Sequence, residues 1–243
     1  HFREVVRGAV TADRGDLLGM LLATKHEDDG SPLSDREIRD QSMTLMLAGH
    51  ETTANALAWT LYLLARNPEQ RARVEREIDA VLGGRLVSAG DLASLPLALA
   101  AVKESMRLFP PAYTIGRQAT RELRIGGARV PKGRVVLVNV AGIHRRPESF
   151  PSPERFDLER FTGDKEKKLP PLAYMPFGGG PRVCIGNHFA LMESHVLLVT
   201  LLQRLRIDLT SARDVDLEPL VTLRPKGGIQ ARITPRSAAQ SSS

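Results

Sequence analysis

Between Ser34 and Arg66 the chain keeps helical character without a single proline, a stretch of roughly 50 Å at ~1.5 Å per residue. Ser34, with Glu37 three residues on, reads as a capping-box start. The middle of this run, Ala48-Gly49-His50-Glu51-Thr52-Thr53, breaks the rules of the helix around it. Leu45, Met46 and Leu47 before it, and Ala56, Leu57 and Ala58 after it, predict burial on most sides. Inside such a helix a glycine costs about 1 kcal/mol relative to alanine. A buried carboxylate without a partner costs more. Local rules broken together mark function. Ala48, Gly49 and Thr52 share one face, a small groove floored by a hydroxyl. The plainer alternative has Thr52 bonding back to its own helix and Glu51 meeting a surface partner.

A second unusual stretch is Pro176-Phe177-Gly178-Gly179-Gly180-Pro181-Arg182-Val183-Cys184-Ile185-Gly186, which holds the only cysteine in the chain. Consecutive glycines permit close backbone approaches that side chains forbid. After Cys184, Ile185, Phe189, Met192, Val196 and Val199 recur at helical steps. The thiol is therefore expected where a loop enters a helix, beside free N–H groups that favour thiolate. An isolated cysteine is usually a small buried hydrophobe. A thiolate on a glycine-rich loop suits one face of a flat metal cofactor.

The rest of the chain reads as helices with small strand pairs. Residues 1–27 suggest two short amphipathic helical segments, the second around Asp16 to Leu22, followed by a loop at 28–32. Asn67 is expected to cap a helix from Pro68 to Leu82 that stops at Gly83-Gly84. Another helix follows Pro96 and ends at Leu108, before Phe109-Pro110-Pro111. Strands are expected at 123–125 and 134–138, and near Ile229 to Ile233 after a helix over 185–206. Residues 145–175 read as irregular, and the end, 235–243, as a disordered tail.

With 243 residues, 42% of them hydrophobic, the chain can bury a real core and is expected to form one soluble unit. No apolar run is long enough to span a bilayer and no secretory signal is present, which points to a soluble, cytoplasmic protein. One cysteine excludes an internal disulfide framework, structural zinc, iron–sulfur clusters and c-type haem attachment. Net charge +6 raises nucleic acid as a partner, but aromatics are only 5% and the bases sit beside acids, so a solvated basic surface is the better reading. His50, His144 and His188 show no zinc-ligand spacing and read as packing or hydrogen-bonding residues.

The cysteine stretch resembles the haem-binding signature of the cytochrome P-450 family, Phe-x-x-Gly-x-Arg-x-Cys-x-Gly, at Phe177, Gly180, Arg182, Cys184 and Gly186. The hexapeptide Ala48 to Thr53 is similar to that family's oxygen-binding segment at every position. Glu104 and Arg107 match its Glu-x-x-Arg, and Pro153-Glu154-Arg155-Phe156 its Pro-Glu-Arg-Phe box. As a bare i,i+3 pair, Glu104 and Arg107 carry little weight.

The resemblance implies a mainly α fold with small β-sheets, of cytochrome P-450 type. The match covers the family's C-terminal part, residues 1–234 here, with the N-terminal part missing. It implies haem b on the Cys184 thiolate, with Ala48, Gly49, Arg117, Phe177, Gly178, Arg182, Ile185 and Gly186 around the cofactor. Arg117 and Arg182 would clamp its propionates, since guanidinium forks match carboxylates. Thr52 would hydrogen-bond bound dioxygen and Glu51 relay protons through water. Glu104, Arg107 and Arg155 would form a buried charge network that sets the cysteine loop. Pro111, Ala112, Tyr113 and Ile115 would line the substrate pocket.

The function implied is a monooxygenase that inserts one atom of O2 into an apolar organic substrate. No Rossmann or flavin fingerprint is present, so electrons from NAD(P)H would come through a separate ferredoxin, flavodoxin or reductase. Lys165, Lys167 and Lys168 are candidates for steering an acidic partner, or form a solvated loop. The other classes left open are an inactive haem-binding fragment and a haem electron carrier or gas sensor.

Overall fold

The computed structural model describes residues 16–236. The chain divides into two compact units, residues 1–51 and 52–243. The first helical segment expected in 1–27, and the tail beyond Arg236, lie outside the described residues.

In the first unit, helix α1 (Leu17–Ala23) is capped by Asp16, whose Oδ1 accepts from Gly19 N at 2.8 Å. A turn closed by the Lys25–Pro32 bridge leads to helix α2 (Asp35–Arg66). The capping box is reciprocal. Ser34 N donates to Glu37 Oε2 at 2.8 Å and Glu37 N to Ser34 Oγ at 3.3 Å. Met46 and Leu47 are exposed, against the expectation of burial on most sides. The other described helix in this unit, α1, is seven residues long and too short to cover them.

The second unit builds its core from the end of α2, then α3 (Pro68–Leu82), α4 (Pro96–Leu108) and α6 (Asn187–Arg204). Trp59, Leu64, Val74, Ile78, Leu95, Val102, Leu198 and Val199 are buried among them. Trp59 stacks on Phe109 at 4.3 Å, and its indole N–H donates to Leu223 O at 3.0 Å. Pro68 and Pro96 occupy first turns, where a missing N–H costs nothing. Gly83 ends α3 in the left-handed region at φ 53°. Asn67 stands at the N-cap of α3 as expected, but its side chain makes no capping bond; its amide N–H donates back to Leu63 O at 2.8 Å. The N–H groups at the start of α4 are met from α3. Glu77 accepts from Leu97 N at 2.9 Å and from Ala98 N at 3.1 Å.

Among the described residues, four two-stranded antiparallel sheets complete the unit. Strand β1 (Thr114–Gln118) pairs with β4 (Val135–Asn139), Arg117 opposite Val136. Strands β2 (Leu123–Ile125) and β3 (Ala128–Val130) form a hairpin over Gly126-Gly127, both at positive φ. Helix α5 (Val140–Ile143) follows β4. Strand β6 (Leu217–Pro219) pairs with β7 (Leu223–Pro225). Strand β5 (Leu205–Leu209), continuous with α6, pairs with β8 (Ala231–Pro235). Regular structure thus reaches Pro235, the first residue of the expected tail, and Arg236 then pairs with Asp79. Residues 144–186 are irregular apart from short 3-10 turns, and Phe150, Phe156, Leu158 and Phe161 anchor them in the core. No described helix is long and apolar enough to cross a membrane.

Candidate functional site: an exposed cysteine on a braced loop

The brace starts on α4. Glu104 and Arg107, one helical turn apart, are both fully buried. Arg107 Nε donates to Glu104 Oε2 at 2.6 Å and Nη2 to Oε1 at 2.9 Å, a two-pronged contact that only a guanidinium makes. The remaining guanidinium donors reach outward. Nη1 donates to His144 O at 3.0 Å and Nη2 to Arg155 O at 3.2 Å. Asp157 N donates to Glu104 Oε1 at 2.9 Å. Burial pushes the Glu104 carboxyl upward, and Arg107 is the strongest influence opposing it.

Arg155 does not join this network through its charge. Its side chain is exposed and only its carbonyl takes part. The second guanidinium on Glu104 is that of Arg160, with Nε 3.3 Å from Oε1. Sequence reasoning missed Arg160, although a signal was present. Glu-Arg-Phe occurs twice, at 154–156 and 159–161. The second triplet lies on the 3-10 turn Leu158–Phe161, which packs on α4. The first does not.

The cysteine loop leaves this brace at Tyr174 and Met175. Tyr174 donates from its hydroxyl to Lys103 O at 2.9 Å, and Met175 N donates to His144 Nε2 at 2.8 Å. Met175 O accepts from Gly178 N at 3.0 Å, and Phe177 O accepts from Cys184 N at 3.0 Å. Gly178 and Gly180 hold positive φ, 77° and 72°, as the tight path demands. A Cβ on Gly178 would sit 3.4 Å from Ile115 Cδ1, so β1 lies directly against the loop.

Cys184 is a free, exposed cysteine at the end of this loop, three residues before α6 begins at Asn187. Phe177 is half-buried against the core, and Gly186 is the residue just before α6. Around the sulfur the chain presents apolar side chains outward: Val183, Phe189 and Ile185, the last 92% exposed. Arg182 is exposed and makes no ion pair among the described residues. Arg117, exposed on β1, spends one donor on the neighbouring Gly116 O at 2.8 Å. An exposed sulfur, an apolar rim and two guanidiniums without carboxylate partners fit a flat apolar group that bears carboxylates and takes a sulfur ligand.

The remaining expected site residues are distributed as follows. Pro111 is buried, its carbonyl accepting from Leu223 N at 2.9 Å, and Tyr113 donates to Leu220 O at 2.9 Å. Ala112 is exposed and Ile115 half-buried. Ala48, Gly49 and Glu51 are exposed positions of α2 in the first unit. A Cβ on Gly49 would meet open space. Thr52, half-buried, opens the second unit. His144 is fully buried, while His50 and His188 are exposed. In the lysine cluster, Lys165 lies 3.1 Å from Glu159, which also pairs with Arg73, and Lys167 lies 2.7 Å from Asp164.

Comparison with known proteins places this geometry. The cytochrome P450 family model matches residues 3–231. Leukotriene-B4 omega-hydroxylase 3 of Mus musculus is 41% identical over 227 residues, covering 92% of this chain and 43% of that protein. Cyclooctat-9-en-7-ol 5-monooxygenase of Streptomyces melanosporofaciens is 42% identical over 196 residues, 81% of this chain and 43% of that protein. Among solved structures, the heme domain of cytochrome P450DA superposes with a TM-score of 0.88 at 32% identity, over 98% of this chain and 54% of its own. A cyanobacterial protein solved with retinoic acid bound, CYP120A1, superposes with a TM-score of 0.88 at 32% identity, over 96% of this chain and 54% of its own. The chain thus spans less than half the length of these two curated relatives.

Proposed function

Because the chain belongs to the cytochrome P450 family, we propose that residues 1–234 form the C-terminal haem-binding part of a monooxygenase acting on an apolar organic substrate. The observation that carries this reading is Cys184 itself. It is an exposed sulfur inside an apolar rim, on a loop whose base is tied to a buried ion pair. When bound through a thiolate, haem supplies reductive activation of O2, the sulfur's electron donation favouring O–O cleavage. Cys184 would be the sulfur ligand, and Arg182 and Arg117 would hold the propionates by charge-assisted hydrogen bonds. Gly178, Phe177, Ile185 and Gly186 would shape the face that receives the ring. Thr52 would hold a proton at its hydroxyl, and Glu51 would pass protons in from water. Gly49 would leave room for oxygen, and Ala48 would belong with it to the cofactor-binding set.

Leukotriene B4, cyclooctat-9-en-7-ol and retinoic acid appear in the names and titles of the similar proteins, and all are largely hydrocarbon. This supports an apolar substrate, with Pro111, Ala112, Tyr113 and Ile115 among the residues that would contact it. Electrons would arrive from a separate redox protein.

The test is the carbon monoxide difference spectrum of the haem-loaded, reduced chain. A strongly red-shifted Soret band that disappears in Cys184→Ser supports thiolate ligation. A band at the imidazole-type position, or no haem uptake, overturns it for this chain. With a reductase system present, Thr52→Ala should keep the band and divert electrons to peroxide. Fully coupled turnover in that variant would remove Thr52 from the proton path.

A further inference from the structure

We propose that His144 is a positioning residue for Cys184, its ring nitrogen carrying the hold of the buried Glu104–Arg107 pair onto the first peptide of the cysteine loop. The inference rests on the haem-thiolate reading of Cys184.

His144 follows helix α5 and is fully buried. It is gripped at two points. Its carbonyl accepts from Arg107 Nη1 at 3.0 Å, and its Nε2 meets Met175 N at 2.8 Å. A backbone N–H can only donate, so Nε2 must offer its lone pair. The ring is therefore the neutral tautomer with its proton on Nδ1. That Nδ1 is buried and makes no well-formed hydrogen bond among the described residues, although the Arg107 and Met106 backbone acts on the ring.

A buried donor without a well-aligned acceptor is destabilising. A phenyl or leucine side chain would avoid that cost. What a histidine provides that they cannot is the acceptor for Met175 N–H, and this is the physical reason for an imidazole here. Charge agrees with the neutral form. Burial holds the imidazole at about 4, and the cations Arg107 and Arg145 beside it disfavour a further positive charge.

The bond falls where the loop is controlled. Tyr174 and Met175 are both fixed from the same helix, α4. Tyr174 is held by Lys103 O, and Met175 by His144, which Arg107 holds in turn. The next links are Gly178 N to Met175 O and Cys184 N to Phe177 O, each 3.0 Å. The Met175 peptide is thus the first rung of the ladder that ends at the sulfur-bearing residue. Releasing its N–H frees the turn at Gly178 while leaving the ion pair on α4 intact.

The test compares His144→Phe, which keeps an aromatic ring beside Tyr174 but offers no acceptor, with His144→Gln, whose amide oxygen can take the place of Nε2. Two readouts are taken on the whole chain: amide hydrogen exchange, and the carbon monoxide difference spectrum after haem loading. In His144→Phe, exchange at Met175 and Gly178 should rise by about tenfold or more while Phe109, whose N–H bonds back to Ser105 O at the end of α4, keeps its protection. The share of thiolate-type band should fall, and His144→Gln should restore both. Where His144→Phe does not fold, His144→Asn, with its amide oxygen out of reach of Met175 N, takes its place. Unchanged exchange at Met175, or faster exchange with an undiminished thiolate band, overturns the proposal. A wild-type chain with no thiolate band overturns the haem-thiolate reading and the role toward Cys184 with it, while the exchange data still report whether His144 holds Met175.

Discussion

Arg160 Nε stands 3.3 Å from Glu104 Oε1, so the carboxylate that binds Arg107 on its own helix also binds a guanidinium from the meander. Arg155, five residues earlier and followed by the same phenylalanine, lends only a carbonyl. The two arginines therefore have opposite sensitivities. Arg160→Ala leaves a buried carboxylate short of one cation and should cost about 1–3 kcal/mol. Arg155→Ala keeps the carbonyl and should stay within ~0.5 kcal/mol of wild type. Urea unfolding midpoints at constant slope would decide it, and a larger loss in Arg155→Ala would assign the network to the wrong triplet.

This pair also shows what could and could not be read from the sequence. Helix ends were legible wherever a local device writes them: the Ser34/Glu37 box, Pro68 and Pro96 in first turns, Gly83 at a C-terminus. Partners were not. Arg155 and Arg160 sit in the same local triplet, and only packing of the Leu158–Phe161 turn on α4 selects one. Strand β1 was invisible as a strand, because Thr114 to Gln118 has no apolar alternation and earns its place by pairing with β4. Met46 and Leu47 look like core by composition yet are exposed, since burial depends on what else the unit supplies. The cysteine stretch was legible in its chemistry. Its support through His144 was not, because a lone histidine gives no sign of which amide it will meet.

Glu77 offers a second long-range capping contact to test. Its carboxylate reaches across from α3 to the first N–H groups of α4, where the helix dipole favours negative charge. Glu77→Ala should cost about 1 kcal/mol and speed amide exchange at Leu97 and Ala98 first. Glu77→Gln, keeping an acceptor without the charge, should recover part of both. Equal protection of Leu97 and Ala98 in all three proteins would show that the contact does not hold the helix.

Acid should weaken the fold through His144. Its pKa falls from an ordinary 6.5 to about 4, first by burial. Between those values the unfolded chain takes up a proton that the folded chain refuses, so stability drops as pH falls through that window. From about pH 7 to about pH 5 the loss is on the order of 2 kcal/mol, and below about pH 4 this contribution is flat. His195, also lowered by burial, adds to it in the same direction. The difference between wild type and His144→Gln across that pH range isolates the His144 share. A wild-type unfolding midpoint that rises on acidification would contradict the sign.

The contact between Ile115 and Gly178 makes a quantitative test of how β1 seats the cysteine loop. Alanine at Gly178 faces two costs. One is the positive φ of 77°, about 1–2 kcal/mol for any residue with a Cβ. The other is close contact, since that Cβ would stand 3.4 Å from Ile115 Cδ1, at the near edge of ordinary van der Waals contact. Gly133 has a φ of 84° with nothing within 4 Å of an added Cβ, so Gly133→Ala measures the first cost alone. Gly178→Ala should therefore lose more stability than Gly133→Ala. Trimming the neighbour with Ile115→Val removes Cδ1 and should relieve the excess. A double-mutant cycle between Ile115→Val and Gly178→Ala should give a coupling of about 0.5 kcal/mol or more. Additive losses would mean that strand and loop do not press on each other. The thiolate band provides the functional counterpart: it should weaken in Gly178→Ala and recover in the double variant, because relief at Ile115 lets the turn that leads to Cys184 settle back.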